Sequence, residues 1–258
     1  MNERSKGRND YLCPRIVQHH PRGSSMKDKA THQAITDYRI PQIFEFLREI
    51  ASHNERSWFQ DHRDAYDEAR EGFERLAADL IVRLAQMDAS LSHLTVKDCT
   101  YRFYRDTRFS QDKSPYKRHF GCYVAAMGKK SYHGGYYLHL EPGSCLVAGG
   151  CYCLPTNILA KVRQTILYRT DEFREMVENE RFKSLYPNVT FDPMKAMPRG
   201  VPRDYPYPQY MKCRNYCVEH SLDDDFFAQP DWMEHVMEMF GVMRPFVDFV
   251  NDTVDDYI

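Results

Sequence analysis

The hydrophobic period of this chain changes character twice, and the order of those changes restricts its architecture more than any single motif does. Ile40, Ile43, Phe44, Leu47, Ile50 and Ala51 recur at helical spacing, with Pro41 suited to a first turn. After a polar break, Ser57 is placed to cap a long second helix whose apolar face runs through Trp58, Phe59, Tyr66, Phe73, Leu80 and Leu84. From Thr100 the pattern shifts to short segments rich in aromatic, β-branched or small residues: Thr100–Tyr104, Phe120–Met127, Tyr136–Glu141 and Cys145–Cys153. Pro142 and Gly143 form a turn signal between the last two. Helical spacing returns at Pro155–Tyr168, at Asp171–Glu180 with Asp171 as cap, and at Asp231–Val254, which contains Pro245. Tyr216–His220 reads as a further strand and Ser221–Phe227 as a short helix. Six prolines between positions 187 and 210 forbid a regular element there. Strands that follow one another through short links pair antiparallel. The expected fold is therefore α+β, with a central, mainly antiparallel sheet, helices packed chiefly on one face, and helices at both chain ends. A dinucleotide fold is excluded, because it would alternate strand and helix and place a glycine-rich loop after the first strand.

Residues 1–35 are polar and lack hydrophobic periodicity, so they are expected to be a disordered basic extension, with 36–258 a single α+β domain. Met26, followed by Lys-Asp-Lys and the first periodic segment, is an alternative native start to Met1. Residues 1–39 carry eight Lys or Arg against four Asp or Glu, a net of +4, which leaves −6 for the rest of a chain whose total is −2. An acidic body argues against a duplex nucleic-acid partner, since duplex affinity rests on a continuous basic face. No apolar run reaches the roughly 18 residues of a membrane span, and no leader pattern opens the chain, so a membrane partner is not expected. The eight cysteines contain no Cys-x-x-Cys pair and read as reduced, mostly buried thiols, with Cys151 and Cys153 on one strand face. The expected compartment is the cytoplasm.

Chemistry concentrates between Tyr101 and Lys117, where five cations and two carboxylates occupy one passage from strand to loop. In an extended Tyr101–Asp106, Arg102, Tyr104 and Asp106 share one face while Phe103 and Arg105 share the other. Arg108, Lys113, Lys117 and Arg118 follow, with Pro115 stiffening the backbone. Arginine forks match phosphate or carboxylate oxygens. Arg102, Arg105, Arg108 and Lys113 are therefore the expected ligand-binding cations, with Tyr116 as a wall or donor and Asp106 and Asp112 as orienting or acid/base groups. The competing explanation is a salt-bridge network in which both carboxylates neutralise neighbouring arginines and pin the loop.

The spacing of Arg102, Arg105, Asp106, Arg108, Phe109, Asp112, Lys113 and Tyr116 resembles the signature of the family catalogued as domain of unknown function 2461. Asn54 with Trp58 and Phe59, the run Tyr136–Gly143, and Pro198, Arg199, Gly200, Pro202, Asp204 and Pro206 extend the resemblance over about residues 40 to 251. It implies membership and carries over no catalytic role or cofactor.

Tyr137, His139 and Glu141 alternate on one strand face, but two ligands are too few for a metal, so none is expected unless the fold adds His133 or His220. Arg199, Arg203, Lys212 and Arg214 could close over the arginine loop as a lid, or lie on a proline-stiffened surface connection. Trp58 and Phe59 are expected in the core. The functional expectation is binding of, or catalysis on, a small anionic ligand. The alternative is a protein or single-stranded nucleic-acid interaction module in which the Arg/Asp motif is structural.

Overall fold

A computed structural model describes residues 37–189 and 191–256. The expectations for residues 1–35 and for the start of the chain lie outside these described residues. Five strands form one antiparallel sheet: β1 (Phe120–Val124), β2 (Gly135–Leu140), β3 (Cys145–Cys151), β4 (Phe191–Pro193) and β5 (Cys213–Leu222), in the spatial order β1-β2-β3-β5-β4. The α+β architecture with helices at both ends of the described chain is as expected from the order of periodicities.

Two antiparallel helices open the fold, because α1 (Ile40–Ser52) and α3 (Arg63–Met87) each carry a continuous apolar stripe. Ile43, Leu47 and Ile50 of α1 are fully buried, as are Leu76, Leu80 and Leu84 of α3. The single helix expected from Ser57 is in fact two, with α2 (Arg56–Asp61) ending at His62 before α3 begins. His62 stacks on Trp58 with ring centroids 4.0 Å apart, and its ring bonds the Trp58 carbonyl, so the break is held by a local contact that periodicity does not encode. After α3 a single turn, α4 (Val96–Cys99), carries a capping box of Thr95 and Asp98.

The hairpin at Pro142-Gly143 forms as expected, with Gly143 at φ 79°. The last helix, here α9 (Trp232–Asp255), packs on β3 with Met243 beside Gly149 and Phe246 beside Gly150. Phe120, Leu138, Val147 and Val218 lie on one buried face of the sheet, and Phe73 of α3 stacks on Phe120 at 4.9 Å. Most of the buried apolar residues, from Tyr38 to Val254, form one contiguous cluster.

Several boundaries differ from expectation. The segment 171–180 is α6 (Thr170–Val177) followed by α7 (Glu180–Leu185), whose cap is Asn179 accepting from the amides of Arg181 and Phe182. Between β3 and α6 lies α5 (Thr156–Tyr168). The proline-rich stretch does contain regular structure, the short β4 and α8 (Pro208–Met211). Both are tolerated because Pro193 sits on the sheet edge and Pro208 in a first turn. Buried Arg163 of α5 donates to the carbonyls of Met211 and Cys213 at 3.1 and 2.5 Å, tying α8 and the start of β5 to α5. Cys153 lies beyond β3 in a left-handed conformation, φ 57°, and is exposed, so it does not share a strand face with Cys151. Among the described residues no helix is long and apolar enough to cross a membrane.

Candidate functional site

The passage from Tyr101 to Lys117 is not a strand, yet its burial alternates as an extended segment would: Phe103 is 3% exposed between exposed Arg102 and Tyr104, and Arg105 is half-buried before exposed Asp106. The loop folds back on itself. The Arg105 amide donates to the Pro115 carbonyl at 2.9 Å and the Lys117 amide to the Phe103 carbonyl at 3.0 Å, around a Tyr104–Tyr116 bridge. Asn54 ties this hairpin to the α1–α2 turn, donating to the Tyr116 carbonyl at 3.1 Å and accepting from the Tyr116 amide at 3.0 Å. Beneath it, Phe59 stacks on Tyr116 at 4.1 Å and Phe103 packs on Phe46, Tyr66 and Phe120. Tyr116 is thus a buried anchor, Phe59 is core, and Trp58 is partly buried against it.

Most of the expected ligand-binding cations are engaged inside the loop. Arg105 forms an ion pair with Asp112 and donates to the Ser114 carbonyl and the Ser110 hydroxyl. Arg108 holds Asp106 through Nε and Nη2 at 2.9 and 2.7 Å, and Lys113 donates to the Thr107 carbonyl at 2.9 Å. The Arg108 fork pulls the Asp106 carboxyl down to about 2, and the Ser114 hydroxyl and amide, with Arg105, hold Asp112 well below the usual carboxylate range. Both acids are ionised and committed to loop geometry, an arrangement suited to pinning rather than to proton donation near neutrality. Arg102 takes no part in these ion pairs among the described residues.

Lys117 differs from the others. Its ammonium is half-buried, 5.1 Å from the centroid of the Tyr101 ring, with the Lys129 ammonium 5.9 Å from the same ring. Burial pulls its pKa down to about 8, and the charges that reinforce the shift are two further cations, Arg102 and Lys129.

The strand next to this loop carries a second constellation. In the β1–β2 ladder Gly121 faces His139, so the same register continued outward sets His119 across from Glu141, with Tyr137, His139 and Glu141 on one face. The two imidazole rings lie 4.5 Å apart. Glu141 Oε2 is 3.2 Å from His139 Nε2 and 4.0 Å from His119 Nδ1, and the ligating atoms of all three residues lie within 4.8 Å of one another. Tyr137 Oη is 2.9 Å from His139 Nδ1, and Arg118 Nε is 4.0 Å from Glu141 Oε1. Burial drives the His119 pKa down to about 2, with His139, Lys117, Arg118 and Arg105 adding to the effect, so its imidazole is neutral. A Cβ on Gly121 would come within 2.4 Å of the Tyr137 hydroxyl, so glycine makes the space that hydroxyl occupies.

A family described as conserved hypothetical protein (DUF2461) matches residues 42–249. The chain belongs to that family. No curated protein and no solved structure matches it. Within this DUF2461 chain, the fold brings neither His133 nor His220, the two that could have added to the His139–Glu141 pair, into the group. His133 bonds Asp255, and His220 Nδ1 meets the Leu185 carbonyl at 2.8 Å. His119 takes their place. The sequence signal for it is its distance from Gly121, legible only once the β1–β2 register is known. In the proline-rich segment Arg199, Arg203 and Asp204 are exposed, while Tyr205 bonds Thr170, Tyr207 accepts from Arg174 and Tyr210 donates to Glu178, which fastens the segment to α6 as a surface connection.

Proposed function

We infer that this protein binds a small anionic ligand, bearing phosphate or carboxylate, where Arg102 and Lys117 come together at the base of the loop beside β1. The observation that carries this reading is Lys117: a half-buried ammonium on which the acting charges are themselves cations. Burying like charges together is unfavourable, and a bound anion relieves it. Arg105, Arg108, Lys113, Asp106 and Asp112 shape the loop that presents these two cations, and Tyr116 anchors it. Any catalysis would draw on the neighbouring His139 and Glu141 for acid/base work, since Asp106 and Asp112 are committed. Six buried and one exposed free cysteine among the described residues support a reducing compartment, the cytoplasm.

The test is thermal unfolding of the full chain in phosphate and in citrate, each against sodium chloride of equal ionic strength. Both anions should raise the midpoint in wild type and in Arg108→Ala, and the rise should vanish in Lys117→Met and fall in Arg102→Ala. Retention of the full rise by Lys117→Met would end this reading.

A second reading has its own support. Phe109 is 88% exposed beside Arg108, and Tyr104 is 48% exposed, so the loop tip offers an aromatic-cationic surface of the kind that meets a protein or single-stranded nucleic acid. Binding of an oligonucleotide that weakens with salt and is lost in Phe109→Ala would favour it.

A further inference from the structure

We propose that His119, His139 and Glu141 form a binding site for a first-row divalent transition-metal ion of the zinc type, with one coordination position left open. Its ligands are a different set of side chains from the Arg102 and Lys117 of the anion reading.

The donor set is two imidazoles and one carboxylate, which favours zinc, cobalt or iron(II) over magnesium or calcium, whose ligands are chiefly oxygens. Three protein ligands with a free position is the arrangement of reactive zinc sites, whereas closed structural sites use four. In a tetrahedral site with bonds of about 2.0–2.2 Å, ligand atoms stand roughly 3.3 Å apart. Glu141 Oε2 and His139 Nε2 are already at 3.2 Å, and His119 Nδ1 needs to close by less than an ångström on the same oxygen from 4.0 Å.

A hydrogen-bonded histidine and glutamate would explain His139 and Glu141 alone. The His119 imidazole adds a third donor, its Nδ1 4.0 Å from the same carboxylate oxygen. The register accounts for this convergence: His139 stands within β2, and His119 and Glu141 lie one residue beyond the paired ends of β1 and β2, where the same register continued outward sets them opposite each other.

The surroundings fit a ligand set. The Tyr137 hydroxyl, 2.9 Å from His139 Nδ1, can accept from an Nδ1–H and so leave the Nε2 lone pair for the ion, the orienting contact that metal-bound histidines ordinarily have. Arg118 lies nearest Glu141 Oε1, which leaves Oε2 turned toward the histidines. The three side chains are 4%, 11% and 16% exposed for His139, His119 and Glu141, so the site is shielded from bulk water without being sealed. One carboxylate cannot neutralise a dication beside Arg118 and Lys117. An anion in the open position completes the charge balance, which makes a metal-bound carboxylate or phosphate the matching class of ligand.

The measurement is equilibrium dialysis of the full chain, stripped with chelator, against zinc chloride, together with the visible spectrum of the cobalt(II)-loaded protein. Wild type should take up zinc at a tight site and show an intense tetrahedral or five-coordinate cobalt spectrum. His119→Ala and the near-isosteric Glu141→Gln should each weaken that site by about 100-fold or more and abolish the spectrum, and Tyr137→Phe should weaken it by about 10-fold. His133→Ala and His220→Ala should bind as wild type, which separates this site from other histidines. Lys117→Met should keep the metal while losing the anion-dependent midpoint shift, so the two readings fail separately. Zinc uptake with an unchanged cobalt spectrum in both His119→Ala and Glu141→Gln, each folded by circular dichroism, overturns the proposal, as does a wild type that gives no cobalt spectrum.

Discussion

Truncating Asn54 tests the loop architecture most directly. Its carboxamide meets both backbone groups of Tyr116, at 3.0 and 3.1 Å, and Tyr116 is 3% exposed, so Asn54→Ala strips partners from an N–H and a C=O with little access to water. Each bond is worth about 1 kcal/mol net, and leaving its partner unsatisfied raises the loss, so the variant should lose roughly 2–4 kcal/mol. For a domain of this size that lowers the melting midpoint by about 4–16 °C. Asn54→Asp keeps the acceptor for the Tyr116 amide and loses the donor, so it should fall between the two. Urea unfolding gives the free energies. Amide exchange at Arg105, Tyr116 and Lys117, the residues whose N–H groups close the hairpin, shows whether the loss is local. If Asn54→Ala unfolds within about 0.5 kcal/mol of wild type and the Tyr116 amide stays as protected, the carboxamide is not what holds the loop to the α1–α2 turn.

Further outcomes follow from the same contacts. Gly150 has φ +112° and a Cβ there would sit 2.2 Å from the Tyr216 carbonyl, so Gly150→Ala should destabilise by about 3 kcal/mol or more or give insoluble protein; wild-type urea stability would refute this. Arg163→Met removes a buried guanidinium from two carbonyls and should lower stability by about 3 kcal/mol, with the first loss of exchange protection at Cys213 and Tyr216. The Asp106 pKa lies below its ordinary value in the folded chain, so its stabilising contribution is full above about pH 4 and is lost as pH falls toward 2. Carboxyl titration by NMR should place its midpoint near 2, rising in Arg108→Ala; a wild-type midpoint near 4 contradicts the ion pair.

The fold was legible where period and turn chemistry agreed. Helical spacing located α1, α5 and α9, and Pro142-Gly143 marked the β2–β3 hairpin, because burial of one face imposes those patterns on the residues themselves. The break at His62 and the cap at Asn179 are not encoded in the hydrophobic spacing, since each depends on a side chain choosing one backbone partner among several. Alternation correctly sorted Phe103 and Arg105 from Arg102 and Tyr104, although the segment is a loop. Charge counting marks the stretch where cations crowd but does not say which of them lacks an acid: Arg105, Arg108 and Lys113 find acceptors within a few residues, while Lys117 meets cations brought from Arg102 and Lys129. His119 was invisible for a related reason, as its partners are more than 18 residues away and strand register, not spacing, unites them.

The outer side of β1 is occupied at one point by Thr100, which bridges to Cys122 just before the arginine loop begins. An open sheet margin recruits neighbouring chains, and this contact guards it. Any change that frees the segment leading into the loop therefore bares a sticky border, and such variants should come off a sizing column as oligomers before they show any loss of secondary structure.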